Sequence, residues 1–282
     1  ATQWAGMVQT IAAIGAHTNT TITSRTAAPT LPVAGNTISI LANVQTDLNN
    51  CYTNRFNAVS SGTQFTGWTG TNSKTTQTGT SGGAAWTITF TNTVTFANST
   101  AATSFFNQGG LVKIQVSKSS TGLTGDPEWN DLAATLCGSI FISKGGVTQT
   151  IAGTNYTGTT KSGGTGTPTT LTTTTGWDSL VAGAAGTICY KQFADTAPYT
   201  TNYIQHTIAK GAASTTLVIT TLWSANDTNV PPVAGTDPIT GGTAATGATP
   251  GTAPCTIVTL FPPETTNLAN NWGTLAVAAT TA

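Results

Sequence analysis

With 282 residues the chain is long enough for about two domains and a sizeable core, yet only 6% of its side chains are charged, against roughly 25% in an ordinary soluble domain. Nine basic residues balance nine acidic ones, which excludes the basic face that nucleic acid or an anionic membrane requires, and no run approaches the roughly 20 apolar residues of a membrane-spanning helix. Polarity comes instead from Thr, Asn, Ser and Gly, a neutral surface that can be buried against copies of itself or other packed proteins with little charge to desolvate.

The first sixty residues read as helical. Trp4, Met7, Val8, Ile11 and Ile14 recur at helical spacing, with Thr2 placed as a cap and Gly15 near the stop. Residues 20–32, with Pro29 and Pro32, form an extended connector. Leu41, Val44, Leu48, Cys51 and Tyr52 then make an apolar stripe on a second helix of roughly five turns, capped by Thr37 or Ser39 and ending before Gly62. Arg55 falls where the next heptad position belongs, so packing onto neighbouring chains or the main domain is favoured over a coiled coil. Residues 1–62 are therefore expected to be a helical attachment and oligomerisation region, followed by a Gly/Thr linker over 63–83.

From Trp86 the period changes to 2. Trp86, Ile88, Phe90, Val94 and Phe96 share one parity and Thr87, Thr89, Thr91, Thr93 and Thr95 the other, the pattern of a half-buried antiparallel strand. Further strands are predicted at 112–116, 139–143, 188–193, 203–208, 217–223 and 256–261. A helix over 101–107, capped by Ser99 or Thr100 and stopped by Gly109 and Gly110, and another opened by Asp126 and Pro127 and closed by Gly138, interrupt them. The fold class expected is mainly β: an elaborated antiparallel β-sandwich with short inserted helices over 84–262, behind a two-helix N-terminal region and before an extended tail over 263–282. Residues 158–176 and 230–254, rich in Gly, Thr and Pro, exceed the usual length of ordered loops. Contact with adjacent subunits is the expected source of their order. Seven Trp and nine Phe in regular patterns argue against disorder elsewhere.

Chemistry-bearing residues are few. Cys51, Cys137, Cys189 and Cys255 lack metal-ligand spacing and read as free, buried thiols. His206 shares the parity of Ile204 and Ile208 and reads as a core imidazole, while His17 follows a helix stop. Asp126, Glu128 and Asp131 have the spacing of a calcium site, but capping and the helix dipole explain them at lower cost. No nucleophile elbow, P-loop or dinucleotide fingerprint is present. The expectation is a protein that is not an enzyme and needs no cofactor or metal. A chain beginning at Ala1 is compatible with loss of an initiator Met or of a longer leader.

Several phrases resemble one family. Ser104-Phe105-Phe106-Asn107-Gln108-Gly109-Gly110 leading into Leu111-Val112-Lys113-Ile114 resembles the "YFFN-x-GG-x-I" junction of virion structural proteins from tailed phages, especially those of marine and cyanobacterial hosts. Glu128-Trp129-Asn130-Asp131-Leu132 is similar to its next short helix, and Tyr199-Thr200-Thr201-Asn202-Tyr203 to its "Y-x-S-N-Y" strand entry. Pro262-Pro263-Glu264-Thr265-Thr266-Asn267-Leu268 with Asn271-Trp272-Gly273-Thr274 resembles its closing signature. The resemblance implies a non-enzymatic component of a tail, baseplate, neck or fibre appendage. Its partners would be copies of itself, as a trimer or ring, other virion proteins, and a host-surface glycan. The structural and interface candidates are then Trp4, Val8, Ile11, Leu41, Val44, Leu48, Phe105, Phe106 and Trp272. A prokaryotic cell-surface filament subunit or adhesin fits the composition but not the phrases, and would place the protein on the extracellular surface rather than in the virion. A glycan-binding module, with Trp68 or Trp177 stacking a sugar, is the third reading.

Overall fold

The computed structural model describes residues 2–23, 41–59, 70–73, 86–118, 126–197, 199–226 and 255–281. Two helices come first, α1 (Thr2–His17) and α2 (Leu41–Thr53), then the short strands β1 (Asn57–Ala58) and β2 (Gly70–Ser73). β3 (Trp86–Thr95), α3 (Ser99–Asn107), β4 (Leu111–Ser117) and α4 (Asp126–Asn130) follow, α4 running into a π-helical segment at Asp131–Leu136. The rest is strands: β5 (Ser139–Ile142), β6 (Thr148–Ile151), β7 (Thr154–Thr157), β8 (Thr159–Ser162), β9 (Thr170–Leu171), β10 (Thr187–Phe193), β11 (Tyr203–Lys210), β12 (Thr216–Ala225), β13 (Cys255–Phe261) and β14 (Ala276–Thr281). A single 3-10 turn at Trp177–Ser179 lies between β9 and β10. The protein is mainly β, with short inserted helices and an N-terminal helix pair.

A six-stranded sheet runs β14-β3-β12-β11-β10-β9 and a five-stranded sheet β2-β13-β4-β5-β8, every pairing within them antiparallel. A small third sheet, β1-β6-β7, pairs β1 with β6 in parallel. One core holds Ile88 and Phe90 of β3, Ile208 of β11 and Ile219 of β12 together with Ile114 of β4, Ile140 of β5 and Val258 of β13, as two sheets packed face to face require. The alternation written into β3 and β12 sets their register. Shifting either strand by one residue would turn its apolar set outward.

The predicted strands all form. Three details differ from the sequence reading. α3 takes its cap from Asn98, whose Oδ1 accepts from the Ala101 N–H at 2.8 Å, because Ser99 already lies in the first turn. α1 starts with Thr2 inside it and runs past Gly15 to His17. α2 has 13 residues and not five turns; Thr37 and Ser39 lie outside the described residues.

Larger differences concern the stretches read as unstructured. The expected tail over 263–282 contains β14, which pairs with β3 from Ala276↔Thr95 to Thr281↔Phe90 and forms an edge of the six-stranded sheet. The expected linker contains β2, paired with β13. Residues 158–176 are paired within their own chain. β8 pairs with β5 and β9 with β10, while the N–H groups of Thr165, Gly166 and Thr172 donate to the carbonyls of Thr135, Leu136 and Cys189. Gly158, at φ +55, admits no side chain there, since a Cβ would sit 2.4 Å from the Thr173 carbonyl oxygen. The second loop, 230–254, lies outside the described residues. No described helix is long and apolar enough to cross a membrane.

Candidate functional site

The N-terminal helices cover each other's stripes. Val8 and Ile11 of α1 bury against Val44 and Cys51 of α2, with Trp4 and Ile22 packed at the margin. The two stripes expected to need an outside partner are thus each other's partner. Asp47 sits fully buried beside this seam, and its carboxylate accepts from the N–H and the hydroxyl of Thr23 at 2.8 and 2.9 Å. Burial, with Asp47 nearby, pushes the Cys51 thiol up.

A second apolar edge flanks that seam. Met7 and Ile14, two turns apart, share one side of α1, and Leu48 and Tyr52, one turn apart, share one side of α2. They are 37%, 37%, 47% and 68% exposed, and they are four of the six exposed large hydrophobics among the described residues. Leu48, placed in the core stripe by its spacing, therefore lies outside it. The side chain of Leu41 is outside the described residues. Arg55, beyond the end of α2, stacks its guanidinium over the Tyr52 and Phe56 rings at 4.2 and 4.5 Å.

One buried hydrogen bond clasps the helix pair to the segment that follows β13. His17 Nδ1 lies 2.8 Å from Glu264 Oε1, and Glu264 Oε2 accepts from the N–H groups of Thr266 and Asn267. Burial alone would raise the Glu264 carboxyl, but these hydrogen bonds from Asn267, His17 and Thr266 hold it below its ordinary value. Next to the clasp, Val59 N–H donates to the His17 carbonyl.

Phe105, Phe106 and Trp272 belong to the sandwich core and not to a surface. Phe106 stacks on Trp177 with centroids 5.2 Å apart and meets Phe105 edge to face at 5.0 Å. Trp177 is therefore buried under Lys210 and is unavailable to a sugar; Trp68 lies outside the described residues. Gly109, at φ +92, turns the chain from α3 into β4, and a Cβ there would meet that of Ala58 at 2.8 Å. Beside it, Phe141, Tyr156 and Phe261 line a groove of about 340 Å³ with Lys113 at its rim.

The four cysteines are free and buried, and burial pushes the Cys137 and Cys189 thiols up to about 12, too high to act as nucleophiles. His206 is a core imidazole bonded to Thr221 Oγ at 3.0 Å and stacked on Tyr190. Burial pushes its pKa down to about 3. The acidic residues do gather, but in a different set from the one their spacing suggested. Glu128, Asp131 and Asp195 bring one carboxylate oxygen each within 4.8 Å of one another. Asp195 comes from the β10–β11 connection, and no local spacing signals its arrival. The side chain of Asp126 is outside the described residues.

Compared with protein-family models, with curated proteins and with solved structures, the chain has no significant match in any of the three.

Proposed function

We propose that this chain is a structural component of a tailed-phage particle, part of a tail, baseplate, neck or fibre appendage, that works by assembling with copies of itself and with other virion proteins and catalyses nothing. The observation that carries this reading is the exposed apolar edge of the helix pair, Met7 and Ile14 on α1 and Leu48 and Tyr52 on α2. The sandwich has a core of its own, and within the described chain these four side chains stay 37–68% exposed. Apolar rows of this kind on a nearly charge-free protein suit burial against another subunit. The phrases that resemble the phage family support the same reading, because Phe105, Phe106 and Trp272 fall at core positions where a family keeps its fold.

Two measurements test it. Antibodies raised against the chain should decorate purified particles in negative-stain micrographs, and the chain should co-sediment with intact particles. Recovery only in particle-free fractions overturns the virion assignment. Independently, the full-length chain should sediment as an oligomer and Leu48→Asp as a smaller species with unchanged sheet content. A full-length chain that sediments as a monomer removes the edge as the assembly surface.

A further inference from the structure

The acidic trio stands at a junction of the fold. Glu128 lies on α4, Asp131 opens the π-helical segment, and Asp195 is on the connection from β10 to β11. α4 is anchored through Trp129, which packs on Trp223 of β12 with ring centroids 5.8 Å apart. Gathering three carboxylates without a cation is costly, since like charges oppose one another's ionisation. No Lys or Arg among the described residues is ion-paired with any of them.

Glu128 supplies an independent sign of a missing partner. The residue is only 8% exposed. Its Oε1 is buried with no hydrogen-bond partner, and the nearby Thr196 hydroxyl donates to Asp195 Oδ1 at 3.2 Å. A buried carboxylate oxygen left bare is costly unless a proton or a cation meets it. The donor set discriminates between cations. Three carboxylates, one oxygen each within 4.8 Å of the others, make the all-protein oxygen cluster that calcium takes, whereas magnesium keeps several waters and is usually held by only one or two carboxylates.

We propose that Glu128, Asp131 and Asp195 form a calcium site that ties the α4 segment to the β10–β11 connection. The ion would bridge a buried helix and an exposed loop at the rim of the six-stranded sheet, stiffening that end of the sandwich. This inference stands apart from the virion reading, because a calcium-stapled sandwich is equally compatible with a cell-surface protein.

Trp129, next to Glu128 in sequence, provides a built-in reporter. Excited at tryptophan wavelengths, the full-length protein should sensitise terbium luminescence, and calcium should quench it by displacement. Calcium at a hundredfold excess over its dissociation constant should raise the unfolding midpoint by roughly 5 to 10 °C relative to chelator. Asp195→Asn, on an exposed side chain, should weaken calcium binding by about tenfold or more and remove most of that rise. Glu128→Gln should do the same wherever it folds. Absence of luminescence, luminescence that calcium does not displace, or an Asp195→Asn protein that binds as tightly as the parent overturns the site.

Discussion

The sandwich and the helix pair spend their apolar side chains very differently. The sandwich buries 32 residues in one cluster, nine of them aromatic, whereas the helix pair buries four. Helices of 16 and 13 residues are marginal in water without tertiary support, and four buried side chains give little of it. What else holds the pair is polar: Asp47 on Thr23, and, across most of the chain, His17 on Glu264. The sandwich is stabilised by burial and the pair by a few specific contacts, so the two should fail under different perturbations. The difference teaches where assembly can act, since a partner covering Met7, Ile14, Leu48 and Tyr52 would add to the pair what the sandwich already has.

The largest effect should come from the sandwich core. Phe106 is fully buried between Phe105, Phe96 and Trp177, so Phe106→Ala should cost roughly 3 to 5 kcal/mol through lost burial and the cavity it leaves. Thr91→Ala, on the opposite face of β3, should cost less than about 1 kcal/mol. Chemical denaturation of the two variants checks this, and equal midpoints would refute the assigned parity of β3.

The clasp should give a smaller and regional effect. Glu264→Ala leaves His17 and the N–H groups of Thr266 and Asn267 without their buried acceptor, a loss of about 2 to 3 kcal/mol. The loss should appear as faster hydrogen exchange across residues 2–17 and 41–53 while β3 and β12 keep their protection. Uniformly faster exchange would mean that the two regions unfold as one unit, which breaks the comparison.

Acid should act on the sandwich instead. Burial holds His206 at a pKa of about 3, below the ordinary value near 6.5. Above pH 6.5 neither the folded nor the unfolded chain carries this proton, and no stability is lost. As pH falls below 6.5 the unfolded chain takes up a proton that the folded chain refuses, so stability declines, by about 2 kcal/mol at pH 5. Measuring stability from pH 7 to pH 5, His206→Gln should flatten the decline. A decline unchanged in that variant would place the titrating group elsewhere.

How much of this was legible depends on whether side chains or backbone did the ordering. β3, β4 and β12 announce themselves because alternate positions carry Ile, Phe, Val or Trp, and the turn after α3 because Gly109 and Gly110 follow two phenylalanines. β6 to β9 and β14 carry almost no such pattern: Thr, Asn and Ala side chains say little about a face, and the order comes from main-chain pairing with strands near and far in the chain. The helix stripes were visible, but not that they would close on each other. The acidic trio was half visible, since Glu128 and Asp131 sit on one short helical stretch while Asp195 reaches them only through the path of β10.

The smallest effect sharpens the comparison from the other side, by asking whether the sandwich can be improved without touching the pair. Asn92 occupies the core parity of β3 between Phe90 and Val94, is fully buried, and neither its Oδ1 nor its Nδ2 has a hydrogen-bond partner among the described residues. A buried amide lacking protein partners carries a desolvation cost that an apolar side chain avoids, and a β-branched residue also suits a central strand. Asn92→Val should therefore stabilise the sandwich by about 1 kcal/mol, raising its unfolding midpoint by roughly 2 to 4 °C. Exchange in residues 2–17 and 41–53 should stay as it was, because those helices open without unfolding the sheets. A variant less stable than the parent would mean that the Asn92 amide is satisfied by a buried water and earns its place in the core.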